Sequence, residues 1–430
     1  MSLILLFIGF LGLLFLGVPI AFALGIPAVF YFFLYGGFIP IEFMPHSMTN
    51  PLFNYVLLAL PAFLLTGRMM NASGVSDRIF DAAIAIIGRF RGGLAHANIL
   101  ASIIFATMSG TAVGDAGSLG PVQMRMMTKA GYRPAFSAGV SAASPIVGPI
   151  IPPSVAMVIL GASAEISIGR LFLGGVFPGL MLGLALMINV ALRANFTVEG
   201  RTWPVEKVPV KKAIKPISRA ILPMFCPVII LGGIVLGIFT PTEAAVVSIN
   251  YALLLGIIYR EMTWKKLWET VEDAIVSIGI FMFIIANASF FVWILTREGM
   301  PMVIGELLAP IVSQSPTVAL LLILVFFLII GTCLDVTPAI LLMAPILVPI
   351  VRGMGIDVVH FGVFMTMGLA VGIITPPFGM CLFVMSDVAQ LPVKDVTKEA
   401  IRYLPAMLIV IILVVFFPQI VLWLPNRVFS

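Results

Sequence analysis

Long apolar runs alternate with short polar breaks along nearly the whole chain, at 3–17, 19–36, 52–70, 93–112, 117–130, 135–163, 170–195, 220–237, 241–259, 273–295, 317–332, 336–350, 358–387 and 401–425. The runs are continuous, so they read as helices rather than as the roughly 10-residue alternating strands of a membrane barrel. Several are too short to cross a bilayer alone, since a crossing helix needs about 20 residues. Two long runs are interrupted by paired prolines, in GPIIPPS (148–154) and GIITPPF (372–378). Each proline lacks an N–H and crowds the preceding turn. The pattern predicts an all-α polytopic membrane protein with two hairpins (93–130 and 317–350) and two broken helices (135–163 and 358–387). The amphipathic segment 76–92 predicts an arm helix along an interface, with 300–314 as its mirror.

Composition agrees. The chain has 430 residues, of which 61% are hydrophobic and 10% charged, with a mean hydropathy of +1.17. Soluble domains are about 25% charged. The N-terminal run has no basic leader and is expected to stay as a first membrane hairpin. Cys226, Cys333 and Cys381 all lie in apolar runs, with neither metal spacing nor a disulfide framework.

The net charge of +5 does not point to nucleic acid, because the basic residues cluster in loops. Placing the basic loop 196–219 in the cytoplasm and threading outward works only if both hairpins are re-entrant. The first then enters and leaves from the cytoplasm, the second from outside. Of the 24 Lys and Arg, all but Arg170, Arg297, Arg352 and Arg427 then lie inside, including Arg68, Arg133, Arg193, Lys207, Lys211, Lys212 and Arg402. The positive-inside rule favours this threading. Both termini then lie outside, which is the periplasm if the membrane is the inner membrane of a Gram-negative bacterium.

The halves echo each other. LGVPIAFALG (16–25) parallels LGIFTPTEAA (236–245), SGTAVGD (109–115) parallels IGTCLD (330–335), and GPIIPPS parallels GIITPPF. The expected organisation is a first repeat over 1–195, a basic cytoplasmic linker over 196–219, and a second, inverted repeat over 220–430. Inverted repeats with interrupted helices mark transporters that bind cargo and ions near the midplane.

The breaks carry the chemistry. Unwound backbone frees carbonyls, and in lipid such groups persist only inside protein or beside water. Carbonyl and hydroxyl oxygens suit a small hard cation. Two sodium sites are expected. One lies between Ser109 and Thr111 of the first hairpin tip and the break containing Gly148, Ile151 and Pro153. The other lies between Gly331, Thr332 and Asp335 of the second tip and the break containing Gly372, Thr375 and Pro377. Asp115, Ser144 and Thr337 are expected at the substrate. No Arg or Lys falls at either break, so tip N–H groups and hydroxyls are expected to hold a carboxylate.

GLAHANILASIIFATMSGTAVGDAGSLG (93–120), GYRPAFSAGVSAASPIVGPIIPPSVAMVILG (131–161) and LGIFTPTEAAVV (236–247) resemble the large membrane subunit of tripartite ATP-independent periplasmic (TRAP) transporters, the DctM-like proteins. The likeness covers essentially the whole chain. It implies sodium-coupled uptake of a small organic anion by an elevator motion. It also implies two partners, a separate small four-helix membrane subunit and a periplasmic binding protein that delivers the substrate. The family's sodium pattern falls on Ser109, Thr111, Thr332 and Asp335, with backbone at Gly148, Ile151, Pro153, Gly372 and Thr375. Asp115 matches the family's hairpin aspartate. The second tip, GTCLD, is two residues shorter than SGTAVGD, which leaves its ligand set less defined. Two rivals are a stand-alone ion-coupled carrier and an intramembrane aspartyl protease using Asp115 and Asp335 as a dyad.

Overall fold

The structure, a computed structural model, describes residues 2–204 and 210–429, leaving aside the side chains of residues 2, 210–212 and 312–314. Lys207 lies outside the described residues, as do the side chains of Lys211 and Lys212. The described chain is helical throughout. Among the described residues, eight helices are long and apolar enough to cross a membrane. The apolar periodicity therefore resolves into helix, as the continuous runs required.

Both hairpins form. The first pairs Gly93–Ser109 with Ala112–Lys129, and the second pairs Pro316–Cys333 with Val336–Gly353. Both proline runs break their helices. Pro134–Ala143 passes through a short turn at Ser144–Val147 and irregular backbone before Val155–Ala164 begins. In the second half Val358–Gly372 stops and Met380–Ala389 starts beyond the prolines. The Pro152–Pro153 and Pro376–Pro377 bonds are both cis. The arm helices are Val75–Ile87 and Met300–Gln314.

The halves interlock reciprocally. The outgoing arm of the first hairpin packs on Met380–Ala389, and that of the second packs on Val155–Ala164. Such an exchange is what a two-fold relation between the halves produces. Around this core stand further helices. Ala59–Ala72 lies against Pro241–Ile258, joined by a Thr66–Ser248 hydroxyl pair at 2.8 Å and by Ser73 donating to the Ala252 carbonyl at 3.1 Å. Trp264–Arg297 lies against Ile20–Tyr35.

Two segments differ from the sequence reading. The basic stretch is not all linker, because one helix starts at Val210 and runs to Val235. Its first turns are amphipathic: Ala213 and Ala220 are buried while Lys215 and Arg219 are exposed, so one face can pack on the arm Val75–Ile87. The C-terminal run also divides, into Leu404–Phe416 and Gln419–Val428. Pro418 stands at the division and cannot continue the hydrogen-bond ladder.

A buried ion cluster ties the halves at one end. Glu399 has a side chain only 6% exposed and meets Arg193 at 2.7 Å, Arg133 at 3.1 Å and Arg402 at 3.3 Å. The Arg193 guanidinium also lies 4.8 Å from the centre of the Phe136 ring. Removing Glu399 would leave the Arg193 guanidinium, 10% exposed, as an uncompensated buried charge, which costs about 3–5 kcal/mol.

Candidate functional site

At the first hairpin tip the chain must turn between two helices with almost no loop. Gly110 makes the turn at φ +68°, a region costly for residues with a Cβ. Its carbonyl accepts the Val155 N–H at 3.3 Å, so the tip is bonded to the half-helix beyond the proline break. A Cβ on Gly110 would collide with the Pro153 carbonyl oxygen. Ser109 donates its hydroxyl hydrogen to Asp115 Oδ1. Asp115 is wholly buried, and its Oδ2 has no hydrogen-bond partner. That oxygen lies 3.1 Å from where a Cβ on Gly148 would sit. Among the described residues, the carbonyls of Gly148, Ile151 and Pro153 accept no hydrogen bond.

The second tip follows the same plan with different residues. The Thr332 carbonyl accepts the Gly379 N–H at 3.2 Å, again joining the tip to the half-helix beyond the break. Gly331 and Gly372 touch backbone to backbone, so a Cβ on Gly372 would overlap Gly331. The Thr332 hydroxyl donates back to the Ile329 carbonyl at 2.7 Å, and that of Thr375 donates to the Val371 carbonyl at 3.1 Å. The Gly372 carbonyl already accepts the Thr375 N–H at 2.8 Å. The Thr375 and Pro377 carbonyls accept none among the described residues.

The two aspartates do not correspond. Thr111 precedes the outgoing arm of the first hairpin as its N-cap, and Asp335 holds that position in the second. Asp115 lies inside its helix, one turn further on. The alignment of SGTAVGD with IGTCLD therefore matches letters that the fold sets apart. The shorter second tip is the reason.

Both tips face one cavity of about 550 Å³. Ser109, Thr111, Asp115 and Asp335 line it, and Met380 reaches it from just beyond the second break. Asp335 is half-buried there. Ser144 does not join them. It is buried in a polar knot, donating to Asn98 Oδ1 at 2.7 Å and bonded to the Ser102 hydroxyl at 2.9 Å. Thr337 is buried within its hairpin and is not among the residues lining the cavity. Sequence reasoning missed the opposite wall. Arg68, Asn71 and Ser277 come from Ala59–Ala72 and Trp264–Arg297. The only signal for Arg68 was a charge inside an apolar run.

Among the described residues no group of three His, Cys, Asp or Glu side chains could hold a metal ion. The donors at the breaks are instead carbonyls, hydroxyls and a carboxylate. That set is all oxygen, the preference of a hard cation. The unpaired Asp115 oxygen makes the first junction the better fit.

A family model for the DctM component of the tripartite ATP-independent periplasmic transporter matches residues 7–420. The chain belongs to this family. The resemblance carried by the hairpin and break motifs is thus confirmed over nearly the whole length. One relative, the sialic acid TRAP transporter large permease SiaM of Vibrio cholerae, is 40% identical over 420 residues, covering 97% of each chain. The 2,3-diketo-L-gulonate TRAP transporter large permease YiaN of Escherichia coli is 36% identical over 427 residues, covering 97% of this chain and 98% of that one. The C4-dicarboxylate TRAP transporter large permease DctM of Vibrio cholerae is 35% identical over 453 residues, covering 99% of this chain and 98% of its own. Among solved structures, the YdaH transporter of Alcanivorax borkumensis superposes with a TM-score of 0.64 at 15% identity, over 87% of each chain, which is a likeness of fold. This DctM-family chain is a TRAP large permease, a transporter subunit and not an enzyme. The protease rival falls with that assignment.

Proposed function

We propose that this permease imports a small organic anion, a carboxylate or an acidic sugar, on the sodium gradient. The observation that carries the reading is the pair of tip–break junctions. Each tip carbonyl takes an N–H from the half-helix beyond the break, and among the described residues the carbonyls of Gly148, Ile151, Pro153, Thr375 and Pro377 accept no hydrogen bond. At the first junction Ser109, Thr111, Asp115 and the carbonyls of Gly148, Ile151 and Pro153 would hold sodium. At the second, Thr332 and the carbonyls of Gly372, Thr375 and Pro377 would do so beside Gly331. A bound cation supplies positive charge and fixes both tips relative to their breaks. Asp115 thus moves from the substrate to the cation. Asp335, half-buried on the cavity wall, moves from the cation toward the substrate.

The hairpins and broken helices, packed on one another, form the unit that would slide against the outer helices. Gly67 supports such a seam: a Cβ there would lie 3.1 Å from Ser109 Cα, so the wall meets the tip without a side chain between. Membership of a tripartite periplasmic system supports a small membrane subunit and a periplasmic binding protein as partners. The site of action is then the bacterial inner membrane, with both termini periplasmic.

The test is reconstitution of the permease with its small subunit and binding protein in proteoliposomes. An imposed inward sodium gradient is expected to drive uptake, and uptake indifferent to that gradient overturns the coupling. Full transport by this chain alone would instead establish the stand-alone carrier.

A further inference from the structure

Arg68 projects from Ala59–Ala72 beside Gly67, the residue abutting the first tip. Among the described residues lining the cavity it is the only cationic side chain. Its restraints are slight. One guanidinium nitrogen donates to the Ser277 hydroxyl, and another lies 3.9 Å from Asp273, whose side chain is 72% exposed. An ion pair that long and that wet contributes little. A guanidinium carries five N–H donors in a fork suited to a carboxylate, so most of them remain available.

The half-helices beyond the breaks have already committed several of their N-terminal donors. Half-helix N-termini favour an anion in general. However, the Val155 N–H goes to Gly110, the Met157 N–H to the Ser154 hydroxyl, and the Gly379 N–H to Thr332. Asp335 adds negative charge at the same cavity. Among the described residues lining this space, an anion meets one cationic side chain.

We propose that Arg68 binds the transported carboxylate on the release side, opposite the hairpin tips. The assignment rests on the transport reading above. By the positive-inside argument Arg68 faces the cytoplasm, so the cavity it lines is the inward-open state. Arg68 belongs to the wall, so it meets the substrate only in this state. It therefore sets cytoplasmic affinity, not capture from outside.

The experiment measures substrate KM from each side of the membrane, in right-side-out and everted proteoliposomes of the full complex. N-acetylneuraminate, 2,3-diketo-L-gulonate and succinate serve as probes. Arg68→Gln is expected to raise the cytoplasm-side KM by about 10-fold or more, the usual effect of losing a hydrogen bond to a charged group. External KM and the sodium concentration for half-maximal uptake stay unchanged. Arg68→Lys recovers part of the loss, and Asp273→Asn, which removes a competing carboxylate, lowers the same KM. An unchanged cytoplasm-side KM in Arg68→Gln overturns the proposal. So does an equal rise on both sides together with a shifted sodium dependence, which marks a structural role. If Arg68→Gln does not fold, Arg68→Lys decides, through its cytoplasm-side KM alone. Thermal stabilisation of the purified permease by millimolar probe gives a second readout, expected in wild type and lost in Arg68→Gln. Uptake by wild type that ignores sodium would end the coupling reading and leave this binding result standing.

Discussion

The first hairpin is tied to its broken helix by buried polar side chains, the second by rings and bare backbone. Asn98 donates to the Ser141 hydroxyl at 2.7 Å and accepts from Ser144, while Gln123 reaches the Asn98 carbonyl and the Ser102 hydroxyl, each at 3.3 Å. In the second half Phe327 lies 6.0 Å from Phe361 and 5.7 Å from Phe364, centre to centre, above the Gly331–Gly372 contact. The repeat has kept the tip-to-break bond and replaced everything that supports it. A polar knot has one register, because a shift of one turn leaves several buried groups unpaired. Tilted ring contacts tolerate sliding, and there the glycine contact sets the position.

The largest effect should come from emptying the aromatic side. Phe327→Ala is expected to lower unfolding stability by about 3–5 kcal/mol, read as denaturant or thermal unfolding in detergent. Gly372→Ala should cost about 3 kcal/mol, since its Cβ meets unyielding backbone. The matching Gly148→Ala meets neighbours at 3.0–3.1 Å and should cost about 1 kcal/mol while disturbing Asp115. Equal losses at the two glycines would break the contrast. On the polar side, Asn98→Ala leaves the Ser141 hydroxyl unpaired and takes the acceptor from the Ser144 hydroxyl, and should cost about 2 kcal/mol, an effect absent if the knot is loosely made. Asp115→Asn should raise the sodium needed for half-maximal uptake about tenfold, equivalent to about 1.4 kcal/mol. Asp335→Asn should change substrate KM with that constant fixed, and the reverse pattern would restore the roles read from sequence. Smallest is Ser144→Ala, at about 1 kcal/mol of stability with substrate KM unmoved.

Paired prolines and apolar periodicity made the helix breaks legible, because their consequences are local. Gly110 and Thr111 were legible for the same reason, as the two-residue turn of the first tip, whereas the second tip turns on Leu334 and Asp335. What escaped was set by distance. Arg68 is 41 positions from Ser109 in the sequence and reaches the cavity only because one helix backs onto the tip. Ser144 sits next to a break in sequence, yet its side chain turns toward Asn98. The two aspartates looked alike as letters, and only the start of each outgoing helix shows that one caps it and the other is buried a turn deeper.

Glu399 and its three arginines have a consequence for how the chain could be divided. Arg133 and Arg193 come from the first half, Glu399 and Arg402 from the second, and Asn189 adds a bond to the Arg402 carbonyl at 3.0 Å. A polypeptide severed between residues 204 and 210 would still have a charged rivet joining its two pieces. Co-expressed fragments should therefore reassemble without a covalent join.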